Sequence, residues 1–249
     1  MKILRLGNSN DAEGRVAPEE MTHRVLERAL HEATGEDVET IIKRTWPTPE
    51  LPRAVARWME TLHPDVVVLR VPAFWFNYES VPLKLERKLG RVGKSLGDAG
   101  FKAAGTPWLA DNAVFHAGRR LAQVTVGGAT NFTPEEVIEN VSAVVRAVVR
   151  TEGAAMMLSG PGARVNHAPT RRAQARDEAR RLLVHHALRE LCQQVHVEYL
   201  GTEVARFRSA AAPKLLKDRL HNTGESNAAT AAEELGAVLR ALGRVAATP

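Results

Sequence analysis

Residues 65–71 read DVVVLRV, a nearly continuous β-branched run flanked on both sides by helical patterns. A run of this kind is too short for most helices and too evenly apolar for a sheet with one wet face. It suits a strand buried on both faces of a parallel sheet. Four further short apolar runs have the same setting: Lys2 to Leu6, Val38 to Lys43, Ala154 to Leu158 and Val195 to Leu200. Between them lie helical patterns with recognisable starts. Pro18-Glu19-Glu20 opens one. Thr133-Pro134-Glu135-Glu136 opens another, with Thr133 as N-cap, proline at the first helical position and acid in the first turn. Further helices are predicted over Leu51 to Leu62, Val81 to Leu96, Arg171 to Gln193 and Ser226 to Leu242. Strands alternating with helices of this length imply right-handed crossovers and a parallel sheet covered on both faces. Chemistry is then expected just after the strands, at their carboxyl ends.

The 249 residues, 44% of them hydrophobic, supply one sizeable core. No linker-like or low-complexity tract divides them, so a single domain over 1–249 is expected. The stretch 97–130, rich in Gly and Ala, fits the alternation poorly and reads as an insertion or flap, with Gln123 to Val126 as a short extra strand. No apolar stretch approaches the roughly 20 residues of a membrane span. The opening MKILRLGNSN is too broken an apolar run for a signal peptide. The one cysteine, Cys192, excludes a disulfide framework and reads as a buried helical thiol; a cytoplasmic setting is expected. The formal net charge of +5 permits an anionic partner, but Arg171-Arg172 and Arg180-Arg181 share their helix with Asp177, Glu178 and Glu190. Mixed charge of that kind describes a solvated face, and no specific nucleic-acid partner is expected.

Two segments carry candidate chemistry. Gly7-Asn8-Ser9-Asn10 follows the first strand directly. By itself Asn-Ser-Asn also reads as turn chemistry. Far downstream, Asp218-Arg219-Leu220-His221 precedes Asn222-Thr223-Gly224 and the last helix. Serine is a weak nucleophile that needs a positioned base. Histidine serves because its pKa lies near working pH, and a carboxylate orients it. Alone, Asp-x-x-His is equally a capping loop. No Gly-x-Ser-x-Gly elbow, phosphate-binding loop or metal-ligand spacing is present. Ser159-Gly160-Pro161-Gly162 lacks the third glycine of a dinucleotide loop, and His185-His186 are adjacent on a helix and cannot face one ligand. No metal or organic cofactor is expected.

In combination, Gly7-Asn8-Ser9 and Asp218 to His221 resemble the first and last blocks of the SGNH (GDSL-type) hydrolase superfamily. Gly224, the alanine-rich closing helix, Leu191-Cys192 and the fifth strand are similar as well. The resemblance covers nearly the whole chain in element order. It implies a three-layer α/β/α, flavodoxin-like sandwich with a five-stranded parallel sheet, and ester hydrolysis through an acyl-enzyme. Carried over, Ser9 attacks, His221 acts as base and then acid, and Asp218 orients it. The chain departs from the pattern in three places. Asn8 stands where the family has Asp. No glycine lies between Gly35 and Gly90, so Arg44-Thr45-Trp46 occupies the place of an oxyanion-binding glycine, with a Thr45 or Trp46 amide as the substitute donor. The family's Gly-x-Asn is replaced by Pro72-Ala73-Phe74-Trp75-Phe76-Asn77-Tyr78, which makes Asn77 the candidate for the side-chain donor. Ser9 supplies the first oxyanion amide. Trp46, Phe74, Trp75 and Tyr78 line an acyl or aromatic pocket or, alternatively, cover a helix end as core. The activity expected is cleavage of a small ester. An SGNH-fold acyltransferase, a catalytically silent relative and a basic binding module are the alternatives.

Overall fold

The run at 65–71 forms the middle of the molecule. In the computed structural model, which describes residues 1–7, 16–80, 83–84, 86–87, 128–151, 153–162, 170–201 and 222–244, strand β3 spans Val66–Arg70 and buries Val66 through Leu69 completely. Around it lie β1 (Lys2–Gly7), β2 (Glu39–Arg44), β4 (Ala155–Ser159) and β5 (Glu198–Leu200). They form one five-stranded sheet in the order β2-β1-β3-β4-β5, with every neighbouring pair parallel. The helices are α1 (Thr22–Thr34, entered through a 3-10 turn at Pro18–Glu20), α2 (Leu51–Leu62), the single turn α3 (Phe74–Asn77), α4 (Pro134–Val149), α5 (Arg171–Gln194) and α6 (Gly224–Ala241).

Alternation along the strands divides the core. Ile3, Val66, Val68 and Met157 pack with Leu26 and Leu30 of α1 and Ala237 and Val238 of α6. Leu4, Leu6, Val67, Leu69 and Leu158 pack with α2, α4 and α5 on the opposite face. The result is a three-layer α/β/α sandwich. Thr133 caps α4 through a reciprocal box: Glu136 N–H donates to Thr133 Oγ1 (3.1 Å), and Thr133 N–H donates to Glu136 Oε2 (2.7 Å). No helix among the described residues is long and apolar enough to cross a membrane.

Two boundaries differ from the sequence pattern. The fifth apolar run does not become strand from Val195; β5 begins at Glu198. Val195 is the C-cap of α5, His196 takes a left-handed conformation (φ 56°), and Val197 N–H donates to Cys192 O at 2.9 Å. This is a Schellman closure, and Val195 and Val197 pack on the core as its apolar contact. The helix expected over Val81 to Leu96 is described only at 83–84 and 86–87, which are helical. The rest of it, most of 97–130 and the strand expected at Gln123 to Val126 lie outside the described residues. The ends of that stretch meet: Ser80 and Ala129 exchange N–H···O bonds of 2.9 and 3.0 Å. Gly128 is pressed there against Glu79, where an added Cβ would come within 2.4 Å of the Glu79 side chain.

Candidate active site

Strand order reverses between β1 and β3, because β1 continues outward to β2 and β3 to β4. In an open parallel sheet the crevice for a ligand opens at that switch, beyond the carboxyl ends. Gly7 ends β1 there. Ser9 comes two residues later and lies outside the described residues, as do Asp218 and His221; the described residues begin again at Asn222. What the structure describes is the frame to which both loops attach. Thr223 caps α6, its Oγ1 accepting from Ser226 N–H (3.3 Å). The first turns of α6 and α1 are bolted together: Thr22 Oγ1 donates to Asn227 Oδ1 (3.1 Å), and Asn227 Nδ2 donates to the Glu20 carbonyl (3.1 Å). Gly224 is packed so closely on the Glu20 carboxylate that an added Cβ would lie 2.7 Å from it. The loop that follows β1 and the loop that precedes α6 therefore end side by side on the carboxyl edge.

Beneath this junction is a charge pair that the sequence reading missed. Arg5 of β1 grips Glu234 of α6 with two hydrogen bonds, Nη1 to Oε2 at 2.7 Å and Nη2 to Oε1 at 3.1 Å, and both side chains are wholly buried. Arg70, at the end of β3, brings its Nε to 3.6 Å from the same carboxylate. The signal was an arginine in an otherwise apolar buried strand, since such a charge demands a partner. Nothing local says that the partner is 229 residues away.

After β2, Thr45 N–H extends the ladder by donating to Gly7 O (3.0 Å), so of the two amides expected as oxyanion donors this one is engaged by β1. Thr45 is 5% exposed, and its hydroxyl is buried without a hydrogen-bond partner. Trp46 is 45% exposed. It meets Phe74 edge-on at 5.3 Å between ring centroids and Phe132 at 6.1 Å. Of the aromatic residues after β3, Phe74 and Tyr78 are partly exposed, whereas Trp75 and Phe76 are wholly buried in the core. Trp75 therefore takes the second of the two roles open to it, as core beneath the aromatic patch. Phe132 was not singled out from the sequence. Its place just before the Thr133 cap, where an apolar residue staples a helix start, was the available sign.

Asn77 ends α3. Its Nδ2 donates to the Asp177 carbonyl of α5 (2.9 Å), and its Oδ1 is buried without a partner. Beside it, Glu79 pairs with Arg176 and lies 3.7 Å from Arg180. The Asp177 carboxyl is pushed up to about 6, chiefly by burial, with Arg176 pulling it down and Glu79 pushing it up. On β5, Tyr199 Oη meets His185 Nδ1 at 2.9 Å. Burial, then the neighbouring His186 and Arg181, lower the His185 pKa. Burial pushes the Cys192 thiol up to about 12, so it stays protonated and unreactive. Among the described residues, no group of three or more His, Cys, Asp or Glu side chains is arranged to hold a metal ion.

No protein-family model matches the chain, and no curated protein matches it. Solved structures do. The chain is similar to the psychrotrophic esterase EstA from Pseudoalteromonas sp., at 12% identity and a TM-score of 0.56, over 97% of this chain and 98% of that one. It is similar to the lipase/acylhydrolase from Enterococcus faecalis, at 15% identity and 0.57, over 100% and 98%. It is also similar to the aryl esterase of M. smegmatis, at 16% identity and 0.52, over 97% and 99%. At such identities the likeness is one of fold. That fold is shared with these two esterases and the lipase/acylhydrolase, and the likeness extends over nearly the full length of the chain.

Proposed function

We propose that this chain is a serine esterase that cleaves small carboxylic esters through an acyl-enzyme, with Ser9 as nucleophile, His221 as general base and Asp218 as the carboxylate that orients it. The observation that carries the reading is the junction of α1 and α6. The Thr22–Asn227–Glu20 bonds join the start of α1, downstream of Ser9, to the start of α6, just after Asp218 and His221 in sequence. The described residues that flank these candidates in sequence are joined to one another, in a fold shared with esterases.

In this mechanism Ser9 Oγ attacks the ester carbonyl carbon while His221 takes the hydroxyl proton. The tetrahedral intermediate collapses, the C–O bond to the alcohol breaks, and His221 returns the proton to the leaving oxygen. Water then repeats the sequence on the acyl-Ser9 ester and frees the acid. The developing oxyanion needs donors aimed at it. The Ser9 amide is one. The Trp46 amide is the second, since the Thr45 amide is held by Gly7 O. The third is the Asn77 side chain, through the N–H hydrogen that its bond to Asp177 leaves over. Trp46, Phe74 and Tyr78, joined by Phe132 and backed by Trp75, suit an apolar or aromatic acyl group. The lone, inert cysteine suits a reducing, cytoplasmic setting.

The test is turnover of p-nitrophenyl esters of graded chain length. Ser9→Ala and His221→Ala should each remove nearly all activity without unfolding the protein, and the double variant should be little worse than either. Asp218→Asn should be milder than Ser9→Ala. Wild-type turnover by Ser9→Ala refutes the assignment. A second reading, a catalytically silent relative, draws on one observation: Asn77 commits one amide hydrogen to α5 rather than to the crevice. It predicts a folded wild type that turns over none of these esters.

A further inference from the structure

Strand β2 lies at one end of the strand order, so its outer side is where a further strand could add. Its backbone groups alternate in direction. The Glu39 amide donates to Met1 O and the Thr45 amide to Gly7 O, so odd-numbered residues bond to β1 while Thr40 and Ile42 point outward. The Thr40 amide is met by a side chain: it donates to Glu27 Oε1 of α1 at 2.9 Å. Arg24 holds the other carboxylate oxygen at 2.8 Å, and Glu27 is only 8% exposed. One carboxylate thus folds over the sheet edge and takes the bond that a neighbouring strand would make. Among the described residues, nothing meets the Ile42 amide.

The sequence of β2, Glu-Thr-Ile-Ile-Lys-Arg, fits a second copy of itself. Two antiparallel copies must set outward residue against outward residue, which puts the two-fold axis on a residue rather than between two. With the axis at Ile41, Thr40 lies opposite Ile42 of the second copy in hydrogen-bonded positions. On the other face Glu39 lies opposite Lys43, and Lys43 opposite Glu39, on either side of Ile41 against Ile41. Opposite charges then face each other at both ends of the pairing. Moving the axis to Ile42 sets Lys43 against Ile41 and loses both charge pairs.

We propose that β2 is a docking edge for a second copy of this chain, joining two five-stranded sheets into one, and that Glu27 holds the edge closed. The copies pair only after each Glu27 has left Thr40, because its carboxylate occupies the place of the partner strand. A hydrogen bond to a charged acceptor is worth about tenfold in an equilibrium, and two are given up per dimer, so closure weakens pairing by about 100-fold. The wild type is therefore monomeric at micromolar concentration, and loss of Glu27 opens the edge.

Sedimentation velocity of the full chain over a concentration series tests this. Glu27→Ala should dimerise about 100-fold more tightly than the wild type. Glu27→Gln keeps a neutral acceptor for Thr40 and should fall between the two, so it decides the matter if Glu27→Ala fails to fold. In either background Ile42→Pro removes an amide that only the second copy uses, and it should abolish the dimer without unfolding the chain. Lys43→Glu sets like charges opposite each other and should weaken the dimer about tenfold; adding Glu39→Lys restores opposite charges and the affinity. Folded Glu27→Ala and Glu27→Gln that stay monomeric throughout overturn the docking edge. A dimer that survives Ile42→Pro, or is indifferent to the charge exchange, overturns it too, since its interface lies elsewhere. A wild type that dimerises as tightly as Glu27→Ala overturns the closure by Glu27.

Discussion

Asp177 ionises against its surroundings. Partial burial disfavours its charged form and carries its pKa to about 6, although Arg176 and Arg180 work in the other direction. The sign follows from linkage. A carboxyl whose folded pKa is raised is harder to ionise in the folded state than in the unfolded chain. It is therefore neutral about its charge below the unfolded value, and it increasingly opposes folding as pH rises to the folded value. Asp177→Asn should accordingly raise Tm at pH 7 to 8, and the gain should fade as pH drops below about 4, near the ordinary carboxylate range. A Tm difference that stays constant from pH 4 to 8 would contradict the assignment of the shift to Asp177. At this scale the sequence offers candidates where chemistry depends on residue type and spacing: Ser9 after a strand, and Asp218 three positions before His221. It was not legible where a partner arrives by folding. Asn77 stands out from sequence as the single asparagine of its region, but its bond to Asp177 crosses 100 positions and appears only with the packing of α3 on α5. The same holds for Thr45, whose amide is taken up by its pairing with Gly7.

Elements were readable wherever local signals agreed. Thr133-Pro134-Glu135-Glu136 gives the start of α4 because cap, proline and acid all act within one turn. Thr133→Ala removes the side-chain half of that box and should cost about 1 kcal/mol of stability, measured by urea denaturation at unchanged m-value. No loss would mean that the tertiary contacts of α4 hold its end without the cap. The start of β5 was misread because Val195 and Val197 are β-branched, which favours strand locally. The Schellman closure of α5 and the left-handed His196 override that preference, a choice made by helix geometry and core contact rather than by propensity. Aromatic residues after β3 were ambiguous for a related reason. Four in a row of five residues, Phe74, Trp75, Phe76 and Tyr78, cannot all face one way on a helical turn. The one-turn helix α3 sends Trp75 and Phe76 into the core and leaves Phe74 beside Trp46.

Across the whole molecule, the parallel sheet and its two covered faces followed from the alternation of five apolar runs with helices, whereas the strand order came only with the structure. The tie between the first strand and the last helix did not follow from it either. Arg5 and Glu234 join the two ends of the chain in the core, and removing one partner leaves the other charged and buried. Glu234→Ala should therefore cost about 3–5 kcal/mol, whereas Arg5→Met combined with Glu234→Leu should be near neutral. A double variant as unstable as Glu234→Ala would show that the pair is favourable in itself. The net charge of +5 predicts only weak, salt-sensitive binding to nucleic acid, lost near physiological ionic strength; tight, sequence-selective binding at that salt would favour a binding module instead. The central claim, that Ser9 is an activated nucleophile, is tested most directly by incubating the folded protein with a fluorophosphonate probe and locating the adduct by mass spectrometry. The account predicts one stoichiometric adduct on the peptide containing Ser9, abolished by Ser9→Ala and strongly slowed by His221→Ala. Folded protein that takes up no probe, or takes it up equally well in Ser9→Ala, would contradict it.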